Sequence, residues 1–395
     1  GETLKTPVSL CYAKVLGLTL IRNHSIWVST ILIAALSCIF LILRMPVNSE
    51  DQMYDDYQSQ LAYNKQLDFD ATYQAEAPEE LKAYFLEERN LLEKALAEWD
   101  TPSHVSSLAD YMEANAWITR KSYEDGTLTS DLSMVLATEG SAQVMRNIAN
   151  LSNPILYNYT SDLPPMFYLL DMLSSLPYFV WYIPLFIAIS ICAKERDGDT
   201  LLASIPLSQT RTMFAIFLLL LFLSLALLFA EWLPAFVISL FKNGPDDLAY
   251  PIAFVTNETL YTSTVGLSLL KWVAGFAAES ALFSLIAAIC LTFKMSRVSQ
   301  AIIAAFLIIP MLPGYLAGTI PVWLLKYLPS TYLEATRFIG PPTMSACLLD
   351  SGPGCTFEAG IVCVLAWTLV VLILGILACA LSRIARNHAS GVRHA

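Results

Sequence analysis

The sequence contains no Gly-Lys pair, and this absence excludes the G-x-x-x-x-G-K-[ST] loop that cradles the phosphates of ATP in many proteins. Charged residues are also scarce, at 14% of the chain, whereas hydrophobic residues make up 56%. The region between Met45 and Pro165 has no cysteine and only one histidine, His104. It therefore offers almost nothing for a metal site or a hydrolytic triad. We expect a chain that is not an enzyme by itself, with no metal site and no nucleic-acid partner.

Six stretches of the chain are apolar enough to cross a bilayer, because a helix needs about 20 mainly apolar residues to span the hydrocarbon core. One such stretch alone is equally typical of a buried helix in a soluble domain, but six together favour a membrane protein. The sequence predicts an all-α integral membrane protein with six transmembrane helices. The six stretches are Ile26–Leu43, Met172–Ala193, Thr212–Phe241, Val265–Phe293, Val298–Leu325 and Gly360–Ser382.

The distribution of charge predicts the orientation. Between Met45 and Pro165 there are 21 acidic and 7 basic residues, whereas the short segments elsewhere are basic, and basic residues in short loops stay in the cytoplasm. We therefore expect a bacterial plasma-membrane protein with both termini in the cytoplasm. The predicted regions are a cytoplasmic interfacial segment (1–25), the first transmembrane helix (26–44), an acidic extracytoplasmic domain (45–165), transmembrane helices two to six (166–383) and a cytoplasmic tail (384–395).

Two features of this topology allow more than one interpretation. The apolar lead-in Val8–Ile21 fits either an interfacial helix or an extension of the first span. The outer domain is predicted to be mainly helical, with helices from Pro78 to about Trp99, over Ser103–Ser122 and over Ser130–Asn150. Its tyrosine-rich beginning fits either a ligand site or the packing of a small helical domain, and packing is the more common use of such residues.

Cys347 and Cys355 are the two cysteines that fall in an outward loop. They enclose a Gly-Pro-Gly turn, which brings the ends of the loop close together. Disulfides form in oxidising compartments such as the outside of the cell. The sequence therefore favours a local disulfide between these two residues, with two separate thiols as the alternative.

Three ionisable residues lie within predicted spans: Glu231, Lys271 and Glu279. A charge at bilayer depth costs about 2.5–3.5 kcal/mol or more unless it has a partner or faces a cavity. These residues therefore either line a translocation path or carry protons, or they form an interhelical Glu–Lys pair. Pairing of Glu231 with Lys271 is the favoured interpretation. In either case Glu231 is predicted to face protein or water and not lipid.

The segment from Lys194 to Arg211, between the second and third predicted spans, has a charged beginning, a glycine that permits a tight turn, a threonine that can cap a short helix and a proline that ends it. This order of residues resembles the coupling segment in the permease subunits of ABC-2 type ABC transporters. The residues that would carry ATPase coupling are Glu195, Arg196, Gly198, Thr200, Leu201, Leu202, Pro206, Ser208 and Arg211. The sequence departs from the family pattern at Asp199, which stands between Gly198 and Thr200.

The resemblance extends over the whole predicted topology, and it implies a function. Such a chain forms the translocation path of an ATP-driven exporter, with the second and fifth spans beside the path. Its partners would be cytoplasmic ABC ATPase subunits, which hold ATP and Mg²⁺, and a second copy of the permease or a related one. A different class remains open: a membrane sensor or immunity subunit that binds a peptide through its outer domain. A secondary transporter is disfavoured, because the spans show no internal repeat and few broken helices.

Overall fold

The computed structural model describes residues 8–47, 50–66, 79–126, 131–197, 207–245, 248–309, 321–343, 345–349 and 354–391. Helices dominate these ranges. In chain order they are α1 (Val8–Arg22), α2 (His24–Leu43), α3 (Glu50–Gln66), α4 (Glu79–Ala97), α5 (His104–Glu124), α6 (Leu132–Ala149), α7 (Pro165–Ser175), α8 (Ile183–Asp197), α9 (Gln209–Asn243), α10 (Val265–Thr292), α11 (Ser296–Ile308), α12 (Val322–Leu325), α13 (Thr336–Ile339) and α14 (Phe357–Gly391).

Five helical segments in the described residues are long and apolar enough to cross a membrane. They are His24–Leu43, Tyr178–Arg196, Gln209–Asn243, Val265–Thr292 and Phe357–Ala385. The described residues are therefore mainly helical, as predicted, and their apolar helices are compatible with a multi-pass membrane protein. The remaining predicted span, Val298–Leu325, coincides with α11, which has 13 residues, and with α12, while residues 310–320 lie outside the described residues. Six spans therefore stay a prediction.

The predicted second span, Met172–Ala193, is not one continuous helix, and the segment of membrane-spanning length, Tyr178–Arg196, begins only after the break. Helix α7 ends before Leu176, whose backbone is extended with φ −95° and ψ 143°. Pro177 explains the break, because proline lacks an N–H donor and disfavours helical backbone at the residue before it. A 3-10 turn, Tyr178–Tyr182, follows, and α8 continues from there. The side chains of Trp181 and Tyr182 thus project from irregular backbone inside the helical bundle.

The predicted outer-domain helices are confirmed within a few residues as α4, α5 and α6. A three-stranded sheet joins them, which the sequence analysis missed. Strands β1 (Pro251–Thr256) and β2 (Thr259–Thr264) form an antiparallel hairpin after α9, and β3 (Cys347–Leu348) pairs in parallel with β1. All three strands pack on α6. A Cβ atom on Gly140 of α6 would lie 2.6 Å from Leu260 Cδ1 and 2.7 Å from Ala346 Cβ, so only glycine permits this approach.

At the opposite end of the bundle, α1 is a helix of its own and not an extension of the first span. Asn23 separates α1 from α2, and its side chain accepts a hydrogen bond from Ser25 N at 2.9 Å, which caps α2. One face of α1 is buried, with Tyr12, Leu16 and Leu20 at 0–1% exposure. This face packs against α8 and α9, the helices that flank the 194–211 segment.

Candidate functional site

Three tryptophans meet where the interrupted second span crosses α9 and α10. Trp181 comes from the 3-10 turn, Trp232 from α9 and Trp272 from α10, and all three are at most 5% exposed. The ring centroids of Trp232 and Trp272 are 5.2 Å apart, and Trp181 lies 6.2 Å from the first and 6.3 Å from the second. The indole N–H groups of Trp181 and Trp232 have no hydrogen-bond partner among the described residues. We call these three residues the tryptophan cluster.

Glu231 precedes Trp232 and is fully buried, as predicted. Neither of its carboxyl oxygens has a hydrogen-bond partner within the described ranges. Pro234 follows three residues later inside α9, where it removes one hydrogen bond of the helix at the same level. Because burial of an unpaired polar group is costly, this carboxyl group requires a water molecule, a ligand or another arrangement of the helices to satisfy it.

The favoured pairing of Glu231 with Lys271 is wrong. The Lys271 ammonium group lies 2.9 Å from Glu358 Oε1, in the first turn of α14, and 5.4 Å from the centre of the Phe357 ring. Glu358 itself is well exposed, so this ion pair lies at the rim of the bundle. The depth of a charge along a helix, on which the prediction rested, does not say which face of the helix carries it.

Glu279 has a different partner from the adjacent helix. The hydroxyl of Tyr182 donates a hydrogen bond to Glu279 Oε2, and both side chains are buried. The Tyr182 ring stacks on Phe276 with centroids 4.9 Å apart, which fixes the direction of the hydroxyl. Glu279 also lines a narrow cavity of about 10 Å³ against α14, which is close to the smallest volume that holds one water molecule.

The site therefore places two carboxyl groups, three indoles and a phenol around the break between α7 and α8. Irregular backbone at membrane depth is found where it is buried in protein or lines a water-filled cavity, and buried acids there mark functional sites. A shift of α8 against α9 and α10 would break the Tyr182–Glu279 hydrogen bond and alter the surroundings of Glu231. Among the described residues, no three His, Cys, Asp or Glu side chains are grouped to hold a metal ion.

The predicted coupling residues that the structure describes lie at the α1 end of the bundle, at the other end of α8 from the tryptophan cluster. Glu195 and Arg196 end α8, and Ser208 caps α9 by accepting a hydrogen bond from the backbone N–H of Arg211 at 3.4 Å. Burial raises the pKa of Tyr12 on α1, and the nearby Arg196 charge opposes that shift. The remaining predicted members, Gly198, Thr200, Leu201, Leu202 and Pro206, lie outside the described residues.

The predicted disulfide is not formed. Cys347 belongs to β3 opposite Phe254, and its Sγ lies 3.3 Å from Thr343 Oγ1. Cys355 is buried in a separate small apolar cluster with Tyr332 and Phe338. Pairing of β3 with β1 holds Cys347 in the sheet, whereas Cys355 belongs to that other cluster, and the two sulfur atoms are not bonded. Residues 350–353, which include most of the predicted Gly-Pro-Gly turn, lie outside the described residues.

The helices between α2 and α7 hold a further buried ionisable group, which was not predicted from the sequence. Glu88 of α4 is 8% exposed, and burial raises its pKa to about 7. Its charge acts in turn on Tyr111 of α5, whose pKa is raised mainly by burial. The sequence does indicate that Glu88 is buried. Leu81, Phe85, Leu92 and Leu96 recur at helical spacing, and residue 88 lies on the same face of the helix as Phe85 and Leu92.

No protein-family model, no curated protein and no solved structure matches this chain.

Proposed function

We propose that this chain is the transmembrane subunit of an ATP-driven ABC exporter. It would pair with a second copy of itself, or with a related permease, and with separate cytoplasmic ATPase subunits that bind ATP and Mg²⁺. The sequence of the 194–211 segment and the multi-pass helical bundle support this proposal. The lack of a Gly-Lys pair fits it as well, because the energy source would reside in the partner.

One observation carries the proposal: α1 packs on both helices that flank the 194–211 segment. Leu16 and Leu20 of α1 are fully buried, and Gly17 lies so close to Leu219 of α9 that a Cβ atom would be 3.2 Å from its Cδ1 atom. The end of α8, the start of α9 and α1 therefore form one packed unit. A partner that pushes on the 194–211 segment would move this unit as a whole.

Helix α8 would carry such a movement to the candidate site. It runs 15 residues from Ile183 to Asp197, which is about 22 Å at the rise of an α-helix. Glu195 and Arg196 lie at one end, and the Trp181–Tyr182 pair lies directly before the other. A displacement at the charged end would therefore reach the Tyr182–Glu279 hydrogen bond without passing through a loop.

The experiment that tests the proposal is affinity purification of the tagged chain from its native membrane in mild detergent, followed by identification of the proteins that come with it. A stoichiometric protein with a phosphate-binding loop is expected. The Glu195→Lys variant should reduce its recovery, whereas Arg297→Glu, a charge reversal on an exposed residue of another segment, should not. A chain that purifies without any ATPase under conditions that keep it folded contradicts the proposal.

A second candidate, a membrane sensor, is favoured by the way the outer domain joins the bundle. The sheet that packs on α6 comes from two segments, one between α9 and α10 and one before α14. A ligand that moved α6 would therefore act on three transmembrane helices at once. Recovery of a signalling kinase in place of the ATPase, in the same purification, would favour this candidate.

A further inference from the structure

A cavity with a charged and polar lining lies where α2 and α9 end. Its volume is about 480 Å³, within the range of about 300–1,000 Å³ that is typical of small-molecule sites. Arg44, Tyr157, Asp162 and Asn243 contribute polar groups to its lining, and Ile155 contributes an apolar side chain. Because Arg44, Ile155 and Asp162 are exposed, a ligand can reach the cavity from outside the bundle. We call it the interfacial cavity.

Hydrogen bonds hold the walls of the interfacial cavity together. Thr160 N donates to Met45 O at 2.8 Å, and Met45 N donates to Thr160 Oγ1 at 3.0 Å, which attaches the segment 155–162 to the end of α2. The side-chain amide of Asn243, the last residue of α9, donates to the backbone carbonyls of Ser161 and Leu163 at 2.9 and 2.7 Å. These two bonds use both of its N–H groups, so Asn243 holds the wall and does not donate to a ligand.

Arg44 and Asp162 place one charge of each sign in the interfacial cavity. The guanidinium carbon of Arg44 lies 4.2 Å from the centre of the Tyr159 ring, and a stacked guanidinium keeps the N–H groups at its edge for a hydrogen-bond acceptor. Asp162 Oδ1 accepts a hydrogen bond from Ser161 Oγ at 2.8 Å, which leaves further acceptor capacity on the carboxylate. Neither charge has an ion-pair partner among the described residues.

Arg44 also has a backbone conformation that favours glycine. It follows the last turn of α2 with φ 48° and ψ 56°, in the left-handed region, where a Cβ atom causes strain. Glycine is the usual residue at such a helix end. An arginine at this position therefore points to a use of its side chain, which lies over Tyr159 in the lining of the cavity.

The lengths of the helices place the interfacial cavity at the surface of a bilayer. Helix α2 has 20 residues, or about 30 Å, which matches the thickness of the hydrocarbon core. Arg44 follows directly and thus lies at the level of the lipid headgroups. On the bilayer side of the cavity, α2 exposes Ile42 and Leu43 and α9 exposes Phe241, at 80%, 57% and 85%. A lipid with its headgroup in the cavity would therefore have apolar surface beside its acyl chains.

We infer that the interfacial cavity binds the headgroup of a phosphatidylethanolamine lipid, with the phosphate at Arg44 and the ammonium group at Asp162. A guanidinium can donate two parallel hydrogen bonds to a phosphate, and an ammonium group donates to a carboxylate. Phosphatidylcholine carries the same phosphate, but its trimethylammonium group has no N–H to donate. Anionic lipids such as phosphatidylglycerol offer no cation to Asp162. This inference goes beyond the proposed function, because it needs only this chain and a bilayer and no ATPase.

Native mass spectrometry of the purified full chain tests the inference. The delipidated chain in mild detergent is titrated with phosphatidylethanolamine, its N,N-dimethyl derivative and phosphatidylcholine, all with the same acyl chains. Affinity for the first bound lipid should fall in that order, as N–H donors are lost. Phosphatidylethanolamine should bind about five-fold more tightly than phosphatidylcholine, which corresponds to about 1 kcal/mol for one exposed charge pair. Equal affinities in this wild-type comparison, which needs no variant to fold, overturn the inference.

Matched variants locate the binding site. Asp162→Asn should abolish the preference for phosphatidylethanolamine and retain the binding of phosphatidylcholine, whereas Asp100→Asn, in the exposed turn after α4, should keep the preference. Arg44→Gln should weaken the binding of both lipids. Lys326→Gln, which removes another cation near a tyrosine ring, at 5.0 Å, should weaken neither. A preference that survives Asp162→Asn shows that the lipid binds elsewhere, and overturns the assigned site.

A soluble competitor distinguishes a membrane lipid from a soluble ligand with the same headgroup chemistry. Glycerophosphoethanolamine carries the phosphate and the ammonium group but has no acyl chains. It should fail to displace bound phosphatidylethanolamine at equal concentration, because it lacks the contact with the apolar surface beside the cavity. Displacement at equal concentration would show that the cavity selects a soluble zwitterion, and would overturn the lipid as its occupant.

Discussion

The Tyr182–Glu279 hydrogen bond joins the interrupted span to α10, and Tyr182→Phe removes it with little other change. The phenylalanine ring retains the stacking on Phe276 and the edge contact with Phe283 at 5.4 Å. In a water-soluble protein, an unsatisfied buried acceptor costs about 1–3 kcal/mol. Hydrogen bonds between membrane helices measured by double-mutant cycles average about 0.6 kcal/mol, with a maximum near 1.7. We expect Tyr182→Phe to lower the free energy of unfolding by about 1 kcal/mol, because in the unfolded chain the Glu279 carboxyl group also finds hydrogen-bond partners within the membrane.

A double-mutant cycle measures this interaction. The free energy of unfolding of the purified chain in mixed micelles is followed by tryptophan fluorescence for the wild type, Tyr182→Phe, Glu279→Leu and the double variant. The coupling energy between the two sites should be about 0.6–1.7 kcal/mol. Tyr178→Phe is the matched control, since Tyr178 bonds the Leu307 carbonyl and not Glu279. A Tyr182→Phe effect of the same size in the presence and absence of Glu279 would refute the assigned hydrogen bond.

Three further predictions address the outer domain and Glu231. Because burial raises the pKa of Glu88 from 4.5 to about 7, its ionisation opposes folding. As the pH rises from 4.5 to 7, the free energy of unfolding of the wild type should therefore fall by up to about 3 kcal/mol relative to that of Glu88→Gln. If the free energies of unfolding of the two proteins changed in parallel with pH, this would contradict the prediction. Gly140→Val should destabilise the region around α6 by about 1–3 kcal/mol through overpacking against the sheet, seen as faster proteolysis, and an unchanged rate of proteolysis would contradict this. Glu231→Leu should leave the free energy of unfolding unchanged or raise it, because no hydrogen-bond partner is lost. The same variant should impair transport or assembly. Normal expression with full activity would show that Glu231 is incidental.

Local signals in the sequence predict the helices well. Long apolar runs locate most of the spans, since each span must satisfy its own backbone in the hydrocarbon core. In the outer domain, the Pro78–Glu80 start and the spacing of the leucines predict α4 closely. The break in the predicted second span was missed even though Pro177 lies near its beginning, because counting apolar residues gives no weight to one proline.

Contacts between distant parts of the chain cannot be predicted from this sequence. Strand β3 has only two residues, Cys347 and Leu348, and becomes a strand because β1 offers it a partner. The same pairing removes Cys347 from Cys355. Lys271 finds Glu358, 87 residues away, and not Glu231. Each of these outcomes depends on which face of a helix or strand meets which neighbour, and a single sequence without relatives carries no direct signal for that.

The most direct test of the proposed coupling is the ATPase activity of the assembled complex in lipid nanodiscs, compared between wild type and Glu195→Lys, with Arg297→Glu as the matched control. The proposal predicts that the ATPase partner binds less well to Glu195→Lys, or that hydrolysis proceeds without transport, while the helical bundle stays folded by circular dichroism. Assembly and coupling equal to the wild type would show that the 194–211 segment is an ordinary loop, and would contradict the proposed exporter mechanism.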